Sequence, residues 1–231
     1  MLLVKNFEVG MSVSPRIALV HALKASMEPI HSAFAIEWPQ AELVNIWDDS
    51  LAHDRSQYDD MPDILIERIA NLGRYAVSTG ADAVLYTCSA FGKGIEYAAG
   101  LLSVPVMKPN EAMFEEALKH GHNIGMIASF KPSVKSMTDE FENACSYLGK
   151  HASLKTELIT EAMDALRNGD VTTHNHLVAD AAYKLGHCDA VMLAQFSMAR
   201  AAASVRSVVK VPVLTAPTTS VVKLKQLFAG A

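Results

Sequence analysis

Short runs rich in β-branched and apolar residues alternate along the chain with longer stretches whose apolar positions recur every three or four residues. The runs RIALV, ELVNIW, DAVLYT and VPVM come first, separated by text such as MPDILIERIANLGRYAVSTG. A second series follows with NIGMIA, LKTELI, DAVMLA and VPVL, again with helical text between, as in HNHLVADAAYKLG. Strand runs alternating with helices predict an α/β fold with parallel sheets. No low-complexity segment and no linker rich in Pro, Gly or Ser marks a boundary.

One offset relates the two series. Asp82-Ala83-Val84 returns as Asp189-Ala190-Val191, and Val104-Pro105-Val106 as Val211-Pro212-Val213, both 107 positions on. The same shift carries Ile17 onto Ile124, Lys24 onto Lys131 and Ser26 onto Ser133, and a small gap is needed only around ELVNIW and LKTELI. D-A-V and V-P-V are common strand text, so it is agreement at separated places that predicts two pseudo-symmetric halves. They divide as 1–110 and 111–231, with the C-terminal segment free to cross over. In open parallel sheets, ligands sit beyond the carboxyl ends of the strands. Two facing halves would enclose one cleft there, lined by His21-Ala22, Thr87-Cys88-Ser89, Ala128-Ser129 and Ala194-Gln195-Phe196-Ser197. The repeat shift sets Gln195 opposite Cys88.

Composition narrows the partners. With 231 residues the chain can bury a full core; half of them are apolar and the net charge is −5, so nothing biases it toward nucleic acid or anionic lipid. The three cysteines, Cys88, Cys145 and Cys188, form an odd set without paired spacing, which argues for a reducing compartment. In MLLVKNFEVGMSVSP, Lys5, Asn6 and Glu8 interrupt any apolar core of secretory length, and no later run reaches membrane-spanning length. A cytoplasmic protein with a small-molecule partner is expected, with neither nucleic acid nor membrane involved.

Cys88 is the main candidate for chemistry. It ends an apolar run and begins what reads as a helix, where unpaired N–H groups and the helix dipole favour thiolate over thiol. Gly92 and Gly94 point to a close approach of backbone or ligand near that turn. The same N–H groups would bind a carboxylate, with the hydroxyls of Thr87 and Ser89 as further donors. The plainer reading of Cys88 is a small buried hydrophobe. Cys188 lies seven residues before Gln195, at the wrong end of its strand, and Cys145 reads as a helix-face residue. The pairs His120/His122 and His174/His176 point their rings apart on helices, so no metal site is expected. No phosphate-cradling, dinucleotide or nucleophile-elbow motif occurs. Asp48, Asp49, Asp54, Asp59 and Asp60 read as a solvated loop, although Asp48 and Asp49 end a strand and could approach the cleft.

Through RIALVHA, VLYTCSAFG, VPVMKPNEAM, NIGMIAS, DAVMLAQFSMA and VPVL, nearly its whole length, the chain resembles the aspartate/glutamate racemase superfamily. That superfamily includes hydantoin racemases, maleate isomerases and arylmalonate decarboxylases. The resemblance implies two α/β halves around a cofactor-free site, with one cysteine on each side of the substrate carbon, and a homo-oligomer. Cys88 falls on the first cysteine position. The carboxylate pocket maps onto Thr87, Ser89, Ser129, Phe196 and Ser197, with His21 where the first loop enters and Phe91, Phe130 and Phe196 shaping selectivity. The second cysteine position holds Gln195, whose amide neither accepts nor delivers a proton near neutral pH, so two-thiol racemisation is unavailable.

One thiol can still protonate or deprotonate one face of a carbon next to a carboxylate, including protonation after decarboxylation. It can also add to an unsaturated acid and allow bond rotation, which resembles the maleate isomerase route. Racemisation with a different second base, such as His21 or water, stays open. In each case oriented donors would stabilise an enediolate-like anion. The decarboxylase relatives keep their single cysteine on the second side, whereas this chain keeps it on the first. The alternative is a protein that only binds a small acid, with Gln195 as a contact. A cysteine hydrolase is the weaker option, because no His/Asn partner pattern is evident.

Overall fold

The computed structural model describes residues 14–229, so the opening segment read above for targeting lies, up to residue 13, outside the described residues. Strands β1 (Arg16–His21), β2 (Glu42–Trp47), β3 (Ala83–Tyr86) and β4 (Val106–Met107) form one parallel sheet in the order β2-β1-β3-β4. Strands β5 (Asn123–Ala128), β6 (Ser153–Leu158), β7 (Ala190–Leu193) and β8 (Val213–Thr215) form a second in the order β6-β5-β7-β8, also parallel. The helices are α1 (Met27–Glu37), α2 (Leu51–Ser56), α3 (Asp63–Ser78), α4 (Gly92–Leu101), α5 (Glu111–His120), α6 (Lys131–Tyr147), α7 (Thr160–Arg167), α8 (Val171–Leu185), α9 (Ala202–Val208) and α10 (Ala216–Ala229).

The repeat in the sequence is a repeat in the backbone. Ile17 pairs with Ala83 and Val84 with Val106 in the first sheet; Ile124 pairs with Ala190 and Val191 with Val213 in the second. Even the entry to each sheet is duplicated: Asp82 Oδ2 accepts from the Arg16 N–H at 2.7 Å, and Asp189 Oδ2 accepts from the Asn123 N–H at 2.8 Å. The central strands AVLY and AVML are buried at every position. Strands apolar on both faces must be covered on both sides, which is why helices flank them. Edge strands β2 and β6 are mostly exposed or half-buried, and there the shift becomes 111, from Glu42 to Ser153.

One core cluster spans both halves. It joins Ile17, Leu19 and Leu85 of the first sheet and Met126 and Met192 of the second through Phe34, Phe114, Phe141 and Leu224 of α1, α5, α6 and α10. Helices α3 and α4 close the other face of the first sheet, with Ile69 and Ile95 against Val20 and Val84. Helices α8 and α9 do the same for the second, with Val178 and Val205 against Val191 and Leu193. The helix after the first strand of each half reaches across to the other: α6 packs on the 3-10 turn Ser89–Phe91, and α1 on the 3-10 helix Phe196–Ala201. Helix α10 leans on the first half, where Phe228 meets Trp38 at 5.5 Å between ring centroids and Lys225 Nζ donates to the Glu37 carbonyl at 2.7 Å. Among the described residues no helix is long and apolar enough to cross a membrane.

Candidate active site

The two residues paired by the repeat occupy equivalent places. Past β3 the chain stays extended through Cys88 (φ −125, ψ 121), then winds into Ser89–Phe91 and α4. Past β7 it stays extended through Gln195 (φ −108, ψ 146), then winds into Phe196–Ala201 and α9. Cys88 is half-buried, yet its thiol is pushed up to about 11, because burial outweighs the Ala90 backbone N–H and the Arg55 charge that favour thiolate. This corrects the expectation that the helix start yields a thiolate. Donors are present at the turn, but desolvation wins.

Gln195 is buried and hydrogen-bonded through both its amide oxygen and its amide nitrogen. Its Oε1 accepts from the Ser129 N–H at 2.8 Å and from the Ser129 hydroxyl at 3.2 Å, and its Nε2 donates to Ser133 Oγ at 2.8 Å. Ser133 in turn donates to the Phe130 carbonyl at 2.7 Å. The donors of Ser129, expected to hold a carboxylate, therefore serve the glutamine. Ser89 and Ser197 differ: both are buried, and neither hydroxyl has a hydrogen-bond partner among the described residues. Leaving a buried hydroxyl unpaired costs about 1–3 kcal/mol. One such group stands in each turn.

His21 and Thr87 are both buried. His21 is 0% exposed, and burial pulls its pKa down to about 4, so the ring is neutral. Its Nε2 pairs with Asn45 Oδ1 at 2.9 Å and its Nδ1 with Thr87 Oγ1 at 2.9 Å, and the Thr87 hydroxyl also donates to the Val20 carbonyl at 3.3 Å. Both ring nitrogens are occupied, which corrects the expectation of His21 as a substrate contact or second base and of the Thr87 hydroxyl as an anion donor. Phe196 belongs to the central core and Phe91 and Phe130 to the outer core of the first half. Asp48 is held by Arg68, which donates from Nε at 2.7 Å and also binds Asp54, so it offers the cleft no free carboxylate. Cys145 packs in the core, and Cys188 sits in the turn before β7. Among the described residues no group of three or more His, Cys, Asp or Glu is placed to hold a metal ion.

Two residues escaped the sequence reading. Arg55 of α2 is 4% exposed, and its Nε donates to the Ala90 carbonyl at 3.1 Å. Beside it a recess of about 220 Å³ runs along the turn, bounded by Ala90, Gly92, Lys93, Ser136 and Glu140. Glu140 of α6 is raised to about 7, chiefly by burial, with Lys108 and Ser136 opposing the shift. The glycines near the turn make room for these neighbours. A Cβ on Gly92 would lie 2.3 Å from Glu140 Oε1, and one on Gly94 would lie 2.7 Å from the Met61 methyl. The only sequence signal for Glu140 is a charge between Met137 and Phe141 on the apolar side of its helix. Arg55 gives none, because LAHDRS is too short to define a face.

A family model described as Asp/Glu/Hydantoin racemase matches residues 24–224. Among solved structures, glutamate racemase from Bacillus anthracis superposes with a TM-score of 0.75 at 15% identity, covering 95% of this chain and 83% of that one. Allantoin racemase from Pseudomonas fluorescens gives 0.69 at 20% identity, covering 93% and 91%. An aspartate racemase homologue from Pyrococcus horikoshii gives 0.68 at 13% identity, covering 93% and 99%. No functionally curated protein matches significantly. At such identities the structural likeness speaks for the fold, and the family match, which spans most of the chain, supplies the rest: the chain belongs to the Asp/Glu/Hydantoin racemase family.

Proposed function

We propose that this family member is a cofactor-independent enzyme of the isomerase kind, acting at the carbon alpha to the carboxylate of a small acid, with Cys88 as its single proton-carrying thiol. The observation that carries the reading is the pair of matching strand ends, each followed by a buried serine hydroxyl without a partner among the described residues. A carboxylate seated on Ser89 and Ser197 would present its alpha carbon between the Cys88 and Gln195 turns. In the abstraction step the Cα–H bond breaks, an S–H bond forms, and the electron pair spreads into the carboxylate as an enediolate, which the hydroxyls and turn N–H groups stabilise. Return of the proton completes exchange. In the lyase variant the C–C bond breaks, carbon dioxide leaves, and the Cys88 S–H supplies the proton to the remaining carbanion.

The raised thiol pKa separates the two routes. Abstraction needs thiolate, whose population climbs about tenfold per pH unit below the midpoint, so exchange should accelerate steadily from pH 7 to 9. Protonation after decarboxylation needs thiol and should stay flat over that range. The test is incubation in D₂O with amino acids, malonates, maleate and hydantoins, read by mass and NMR. Deuterium uptake or turnover that disappears in Cys88→Ser supports the proposal. Tight binding of a small acid with neither exchange nor turnover would replace it with the reading of a carboxylate-binding protein.

A further inference from the structure

We infer that Arg55 is a positioning residue for Cys88, holding the turn that carries the thiol and keeping a permanent positive charge at that turn. The inference rests on Cys88 being the reactive thiol. Arg55 spends its guanidinium on three carbonyls: Nε donates to Ala90 at 3.1 Å, Nη1 to Tyr58 at 2.6 Å and Nη2 to Asp59 at 3.4 Å. One buried side chain thus ties the loop after α2 to the residue two places beyond the cysteine. Arginine keeps its charge at any ordinary pH, and its planar fork serves several acceptors in one geometry, which lysine cannot do. A charge so little exposed to water acts on the thiol with weak screening.

The second turn carries the same device, built from a different place. Arg200 Nε donates to the carbonyl of Ser197 at 3.0 Å, and Ser197 is the residue that the 107 shift pairs with Ala90. Arg200 Nη2 reaches the Ala25 carbonyl of the other half at 3.1 Å. The repeat did not supply these arginines as a pair. Arg200 answers to Lys93, and with the 111 shift of its own segment Arg55 answers to Leu166. Two independent placements converge on one carbonyl, which marks that carbonyl as the point from which each turn is held.

The other charged groups around the first turn belong to the same recess. Asp59 and Asp60 border the guanidinium, while Lys93 and Glu96 of α4 and Lys135, Asp139 and Glu140 of α6 line the far side. The charge that bears on the thiol is that of Arg55, which opposes the effect of burial. Removing it should make the thiolate scarcer at every pH below the midpoint.

The experiment measures alkylation of Cys88 by iodoacetamide at pH 8, followed by intact mass, in full-length protein carrying Cys145→Ser and Cys188→Ser. Arg55→Met should alkylate about tenfold more slowly than the parent, as one pKa unit requires, and Arg55→Lys should stay within about threefold of it. A purely structural clamp gives the opposite sign, because a loosened turn exposes the sulfur and speeds alkylation. An Arg55→Met protein that folds by circular dichroism and alkylates at the parent rate or faster overturns the inference. Should that variant not fold, Arg55→Lys decides: a rate within threefold supports the role of charge, and a tenfold loss overturns it. Alkylation needs no turnover. Arg55-dependent reactivity in a protein that exchanges no deuterium would remove the proposed function and leave this inference standing.

Discussion

A glutamine where the repeat sets a thiol turns the second strand end from a proton carrier into a fixture. Gln195 binds the Ser129 N–H and hydroxyl and Ser133 Oγ, all at the start of α6. Cutting it to alanine leaves buried donors unmatched and opens a void. Gln195→Ala should therefore lower stability by about 2–4 kcal/mol in urea unfolding; a loss below about 0.5 kcal/mol would mean that these contacts do not hold the turn. The place of Cys88 was legible in the sequence, as the residue that closes a buried strand and opens a helical turn. The partner of Ser129 was not, because a flexible amide three bonds from the backbone can equally serve a guest or its own protein. Nor was the fate of His21, since burial and a side chain from the neighbouring strand, Asn45, decide it.

At the level of elements, the eight strands announce themselves in β-branched runs, and the edge strands β2 and β6 in the one stretch where the repeat loses register. The 3-10 turns after Cys88 and Gln195 leave no periodicity of their own, so the packing of α4 against α6 could not be read. That packing depends on Gly92, which leaves room for Glu140 and Ser136 where any side chain would intrude. Gly92→Ala should cost about 1–3 kcal/mol, as overpacking does. Combined with Glu140→Ala, the alanine should cost much less, and a double-mutant cycle measures the difference. Strict additivity would show that the helices have another way to separate.

For the molecule as a whole, two buried groups pull stability in opposite directions with pH. His21 falls from 6.5 to about 4 on folding, so its contribution is complete above pH 6.5 and is lost as pH drops through 4. Glu140 rises from 4.5 to about 7, so its contribution is complete below pH 4.5 and is lost as pH climbs through 7. Each is worth up to about 3 kcal/mol, and between pH 4.5 and 6.5 they offset one another. Glu140→Gln removes one arm, so the stability of the variant relative to the parent should grow by about 3 kcal/mol from pH 4 to pH 8. Urea midpoints at several pH values check this; parallel curves would show that Glu140 titrates normally. The twinned plan behind all this was legible because one offset recurs at distant places, whereas the exchange of α1 and α6 between halves was not, since a repeat says what is alike and not what touches. That exchange bears on the order of synthesis. The turn carrying Cys88 is buttressed by α6, which ends at Tyr147. A ribosome emits chain at about 5–20 residues per second, so for some seconds after its own strand has emerged the nascent cysteine waits unsupported, exposed to oxidants and chaperones until the second half arrives.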